Sequence, residues 1–161
     1  MDIKFLTTGG TFDKIYYDAK SDFHIGEPMA TILLEEANAG FNYDIQSILK
    51  KDSLDMTEQD REYIRQQVSC QTADKIIIIH GTDTMIATAM QLLEIADKTI
   101  VITGAMQPAR MRCSDASYNI GFACSAVQLL PAGVYIAMHG QIFDPRKSRK
   151  NIKQSRFEPI E

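Results

Sequence analysis

Three short apolar runs in this chain each end in a small loop rich in threonine and glycine. Ile3 to Leu6 leads into Thr7-Thr8-Gly9-Gly10-Thr11, Ile76 to Ile79 into His80-Gly81-Thr82-Asp83-Thr84, and Ile100 to Ile102 into Thr103-Gly104-Ala105-Met106. Lys75 to Ile79, with four consecutive isoleucines, has the composition of a strand covered on both faces. Segments of helical spacing lie between the runs, and that alternation is the pattern of βαβ units on a parallel sheet. Strands of an open parallel sheet end on one rim. The three loops therefore converge on one crevice, where such folds bind their ligands.

The pattern predicts an α/β three-layer sandwich with a mostly parallel sheet. Ile3 to Thr8 reads as the first strand, and Gly9 to Gly26 as a long irregular segment carrying Tyr16, Tyr17 and Phe23 among Asp18, Lys20, Ser21 and Asp22. Long connections inside a compact domain are usually functional, so a mobile lid is expected here. Pro28, Met29, Ile32, Leu33 and Ala37 predict a helix that Gly40 ends. Tyr43 to Leu49 reads as a strand with Asp52-Ser53-Leu54-Asp55-Met56 as its exit loop, and Thr57 as the N-cap of a helix through Val68. Further on come a helix from about Met85 to Ala96, a strand over Thr99 to Thr103, a helix from Ser114 to Leu130 and a strand over Val134 to Met138.

At 161 residues and 45% hydrophobic content the chain is one domain, large enough to bury a core of its own. Cys70, Cys113 and Cys124 are odd in number and show no CxxC spacing, which predicts buried or inert thiols in a reducing compartment. Met1-Asp2-Ile3-Lys4 enters a strand with no basic region or apolar stretch, so a cytoplasmic protein without a membrane partner is expected. Seventeen Lys and Arg against 21 Asp and Glu argue against a nucleic-acid partner and for a small acidic or neutral ligand. Six cations fall between Arg146 and Arg156. They form either a solvated run or a source for one lysine that reaches back into the crevice. His24, His80 and His139 lack the spacing of a metal pair, and no metal is expected.

Two loops offer chemistry. Gly9-Gly10 permits close backbone approach and sets the Thr11 hydroxyl beside a strand tip, where a base would make it a nucleophile. The same turn also reads as a phosphate loop or a simple loop closure. Thr82 and Asp83 put a hydroxyl and a carboxylate at a helix start, whose free N–H groups suit a carboxylate ligand or a developing oxyanion. Either residue also reads as the helix N-cap.

Thr8-Gly9-Gly10-Thr11, Asp52-Ser53-Leu54-Asp55-Met56, His80-Gly81-Thr82-Asp83-Thr84-Met85 and Gly104-Ala105-Met106-Gln107-Pro108 follow one another in order along the chain. In these motifs the chain resembles the bacterial-type L-asparaginases, threonine amidohydrolases that release ammonia from asparagine and, in some members, glutamine. The resemblance implies that family's N-terminal-domain fold and a cofactor-free L-asparaginase-like amidohydrolase, a homo-oligomer with a small-molecule substrate. It makes Thr11 the nucleophile, Thr82 the second catalytic threonine, Asp83 the ligand of the substrate α-ammonium and Ser53 a ligand of its α-carboxylate. Ala105 resembles the residue whose carbonyl accepts a hydrogen bond from the leaving amide. Aligning Asp144-Pro145-Arg146 with the family's Asp-Gly-Arg puts the family lysine at Lys150. Thr82, Asp83 and Lys150 would then form a proton relay with the lysine as base.

This chain departs from the family in three places. The family's loop tyrosine aligns with Phe23, which leaves Tyr16, nearer Thr11 in sequence, or Tyr17 to supply a hydroxyl. Leu54 stands where the family has glutamine. Full-length relatives carry a second α/β domain, whereas residues 1 to 161 are expected to form a single catalytic domain. A non-catalytic amino-acid-binding module is the rival reading. A flavodoxin-like or nucleotide-binding domain fits the fold, but neither Gly-x-Gly-x-x-Gly nor a P-loop Lys-Ser/Thr follows the first strand.

Overall fold

The structure is a computed structural model describing residues 1–17, 19 and 21–160. Asp18 and Lys20 of the expected lid and the terminal Glu161 lie outside the described residues. A six-stranded sheet has the order β4 (Asn42–Ser47), β1 (Asp2–Thr7), β5 (Lys75–Ile79), β6 (Thr99–Thr103), β7 (Gly133–Met138) and β8 (Gln141–Phe143). All neighbours pair in parallel except β7 and β8.

Side chains alternate across the strands, and because both faces are covered, the runs Ile76 to Ile79 of β5 and Ile100 to Ile102 of β6 are apolar at every position. Phe5, Ile77, Ile79, Val101 and Ala137 face one cluster with α1 (Ala30–Glu36) and α4 (Ala116–Leu129). Leu6, Ile76, Ile78, Ile100, Ile102 and Ile136 face the other with α2 (Glu58–Ser69) and α3 (Met85–Leu92). These are the three expected layers.

Crossover hand decides where the site opens. From β1 to β4 the chain steps one way across the sheet with α1 on the Phe5 face. From β4 to β5 and from β5 to β6 it steps the other way with α2 and α3 on the Leu6 face, which gives all three the same hand. The step from β6 to β7 keeps that direction, but α4 lies on the Phe5 face, so its hand is reversed. Right-handed crossovers are the strong rule, which makes β6–α4–β7 the left-handed exception. The chain therefore leaves β5 toward one face and leaves both its neighbours, β1 and β6, toward the other. Such reversals part the loops at the carboxyl ends of the strands, and the His80–Thr84 loop stands between two of them.

Several boundaries differ from the sequence reading. Thr57 caps α2 as expected, in a reciprocal box: the Asp60 N–H donates to the Thr57 hydroxyl at 3.2 Å and the Thr57 N–H to the Asp60 carboxylate at 2.8 Å. Helix α1 ends before Gly40, because Asn38 takes a left-handed conformation at φ 49°. Its N–H and that of Ala39 then close on the Glu35 and Leu34 carbonyls. The segment expected to be irregular is an antiparallel hairpin of β2 (Lys14–Tyr17) and β3 (Asp22–Ile25), whose aromatic and β-branched residues favour a strand. A second hairpin, β9 (Ser148–Asn151) with β10 (Arg156–Pro159), carries the basic run. Cys70 and Cys113 are exposed, and Cys124 is buried, which pushes its thiol up to about 12.

Candidate active site

Glycine contacts bring the loops together. Gly10 has φ 80°, and a Cβ built on it would stand 2.6 Å from the Gly81 Cα. A Cβ on Gly81 would in turn meet the Ser53 side chain at 2.7 Å. Glycine at both positions allows this backbone approach and places Thr11, Thr82 and Ser53 around one point. The third loop joins through Met106, whose sulfur lies 3.6 Å from the Thr82 hydroxyl.

Thr82 and Asp83 are not the helix cap. The N-cap of α3 is Thr84, and its hydroxyl donates to the Ser53 carbonyl at 2.8 Å, tying the two loops. Thr82 and Asp83 instead meet Lys150, whose ammonium donates to Thr82 Oγ1 at 2.8 Å and to Asp83 Oδ1 at 2.6 Å. Thr82 is buried, the Lys150 side chain is 16% exposed, and the Asp83 side chain is 40% exposed, open toward a ligand.

The basic run supplies this lysine through its register. Lys150 stands directly opposite Phe157 in the β9–β10 hairpin, and directly opposed residues share a face. Phe157 is buried in the core beside Phe143, so that face turns toward the protein body. Arg149, on the alternate face, pairs with Glu158 and is exposed.

Ser53 is buried, and its Oγ has no hydrogen-bond partner among the described residues. Ala105 is buried in a loop fixed by Asp115, whose carboxylate accepts the Met106 and Gln107 N–H groups at 3.0 Å. Asn119 donates to the Gly104 carbonyl at 3.0 Å. The sequence reading missed Asp115, which is indistinguishable there from a helix cap. Tyr16 is not bonded to the other residues: it is half exposed and packs edge-on against its cross-strand partner Phe23 at 5.3 Å. Tyr16 lies two residues from Lys14, on the hairpin face that meets the Ser53 loop through Lys14 and Asp52 at 2.7 Å. Tyr17 lies on the opposite face, against His24.

Two buried titratable groups frame the site. His80 donates from Nδ1 to the Gly81 carbonyl at 2.7 Å, so Nε2 accepts from Thr88 at 2.8 Å and the ring is neutral. Burial pushes its pKa down to about 4, which makes it a brace for the Thr82 loop. Burial raises the carboxyl of Asp13 to about 6, against the opposing hydrogen bond from the Met29 N–H at 2.9 Å.

The signs of their linkage are opposite. Asp13 stabilises the fold fully below its unfolded value of 3.8, and that contribution is lost as pH rises through about 6. His80 stabilises the fold above its unfolded value of 6.5, and that contribution is lost as pH falls through about 4. Between these limits the two slopes offset. Asp13→Asn is therefore expected to make the unfolding free energy rise by about 2 kcal/mol more between pH 4 and 6 than in the parent. Denaturant titration at the two pH values measures it, and an unchanged slope would remove Asp13 from the balance.

Among the described residues, no group of three or more His, Cys, Asp or Glu is placed to hold a metal ion. No helix among them is long and apolar enough to cross a membrane.

The chain matches the family model for the N-terminal domain of asparaginase over residues 2–158. It is 28% identical over 160 residues to the probable periplasmic L-asparaginase of Haemophilus influenzae, covering 92% of this chain and 46% of that protein. Over 91 residues, 52% of this chain and 25% of the relative, it is 36% identical to the glutaminase-asparaginase of Pseudomonas aeruginosa. The thermostable L-asparaginase from Thermococcus kodakarensis superposes with a TM-score of 0.83 at 25% identity, over 99% of this chain and 51% of that one. The chain thus spans about half the length of the two L-asparaginases. From residue 2 to residue 158 its sequence follows the N-terminal domain of one family, and the chain belongs to the asparaginase family.

Proposed function

We propose that this chain carries the catalytic site of an L-asparaginase, hydrolysing L-asparagine to L-aspartate and ammonia through a threonine nucleophile and an acyl-enzyme. The observation that carries the reading is Lys150 on both Thr82 and Asp83, next to a Gly10–Gly81 contact that sets Thr11 alongside. In this reading Thr11 Oγ attacks the side-chain amide carbonyl as its proton is taken up. Thr11 and Thr82 make no hydrogen bond with their backbone N–H groups among the described residues, which leaves both available to the oxyanion. Collapse of the intermediate breaks the C–N bond as the proton taken from Thr11 passes to the leaving nitrogen, which departs as ammonia, and water then hydrolyses the ester on Thr11 to give aspartate and the free hydroxyl.

Each remaining residue has a part. Lys150 serves as the base of the relay, acting on Thr11 through the Thr82 hydroxyl. The substrate α-ammonium takes the Asp83 oxygen that Lys150 leaves free, the unpartnered Ser53 hydroxyl takes the α-carboxylate, and the Ala105 carbonyl accepts from the leaving amide. Tyr16 supplies the hairpin hydroxyl, across the hairpin from Phe23. We place the protein in the cytoplasm, as a cofactor-free homo-oligomer in which residues 1 to 161 hold the catalytic residues.

Ammonia release measured against asparagine and glutamine across concentration tests the reading. Asparagine turnover with weaker use of glutamine is expected, because the longer side chain needs its α-groups held firmly and Leu54 offers them no hydrogen bond. Saturable aspartate binding without any ammonia would leave an amino-acid-binding module instead.

A further inference from the structure

Among the described residues the β2–β3 hairpin contributes none to either hydrophobic cluster, and a few local contacts hold it to the body. At its base the Gly26 N–H donates to the Asp13 carbonyl at 2.8 Å. On the face of Lys14 and Ile25, the Ile25 side chain lies against Gly9 and the Lys14 ammonium reaches Asp52 Oδ2 at 2.7 Å. The other oxygen of Asp52 accepts the Leu54 N–H at 3.1 Å and closes the turn that holds Ser53. One carboxylate thus grips the hairpin with one oxygen and the Ser53 turn with the other. Both side chains of the pair are about three-quarters buried. Partial burial opposes charge on Asp52, but the Lys14 bond, the Leu54 amide and the charges of Lys14 and Lys150 hold its carboxyl below the usual range.

Tyr16 and Phe23 are the next cross-strand pair on that face, about 7 Å further along the strand. We propose that Lys14 and Asp52 form a latch that sets the position of Tyr16 over the Ser53 turn, which makes both positioning residues for the reaction. This rests on the asparaginase reading, since Tyr16 and Ser53 have those roles only within it. The latch ties the placement of the hairpin hydroxyl to the turn that receives the α-carboxylate.

Hydrogen exchange of the amides in 14–17 and 22–25, measured alongside asparagine kinetics, tests the latch. Lys14→Met is expected to speed exchange in these strands roughly tenfold, since local opening follows the loss of the few contacts that hold the hairpin. Its KM should rise and its kcat fall, each about tenfold, because misplacement by an ångström is costly at a reacting centre. Lys14→Arg should restore both. Asp52→Asn keeps the Leu54 contact and should match Lys14→Met, with the double variant no worse than either. The thermal midpoint should hold in all of them, as the hairpin lies outside the core.

Unchanged exchange in Lys14→Met would overturn the latch. Faster exchange with unaltered kinetics would overturn its positioning role. A wild type that releases no ammonia would sink the asparaginase reading, while the exchange measurement still decides whether the pair holds the hairpin.

Discussion

Thr11→Ala and Thr82→Val are each expected to lower kcat for asparagine by about 1,000-fold or more while the protein stays folded. Thr11 stands at the Gly10–Gly81 contact and is the proposed nucleophile, so its hydroxyl has no substitute. Thr82 is buried with its oxygen 2.8 Å from the Lys150 ammonium, and valine keeps the shape while removing the acceptor. Neither change removes much buried apolar surface, so stability should move by no more than about 1 kcal/mol. Steady-state ammonia release and a thermal melt of each variant check this. Wild-type turnover in both would remove the threonine mechanism.

Lys150→Met should lower turnover by about 1,000-fold, whereas Lys147→Met and Lys153→Met should stay within about twofold of the parent. Lys147 and Lys153 are exposed and make no ion pair among the described residues. Losing Lys150 leaves Asp83 partly open to water, so the fold should tolerate the change. The three kcat values, measured at one pH and at low and high salt, separate the cases. Similar losses at all three positions, shrinking with salt, would show a general field effect and rule out a relay.

How far the residues alone revealed this molecule differs from part to part. The central strands were readable because strands buried on both faces must be apolar throughout, as in Ile76 to Ile79. Helix α2 was readable because Thr57 and Asp60 satisfy its first N–H groups locally. The first hairpin was misread as irregular, since its strands pair with each other away from the core and show no long apolar run. The end of α1 was set by a left-handed Asn38, a position that Gly40 suits better on propensity alone. The rim loops were recognised as a set from their residue types. Nothing local showed that Tyr16 and Phe23 would stand directly across from one another, a pairing set by the hairpin register.

Lys150 marks the line between the two sources of information. Local composition and spacing determined that this chain builds a parallel sheet with hydroxyl- and carboxylate-bearing tips, because strand burial, helix caps and glycine turns depend on neighbours a few residues away. Nothing local distinguishes Lys150 from the cations around it, and it was the alignment with relatives that singled it out. Tertiary structure decided that it reaches Thr82, through the burial of Phe157 opposite it, and decided that Thr84 rather than Thr82 starts α3. It also set the reversed crossover that turns the loops after β5 and β6 to opposite faces. Those outcomes depend on contacts between residues as far apart as Thr82 and Lys150, which form when the layers close on one another.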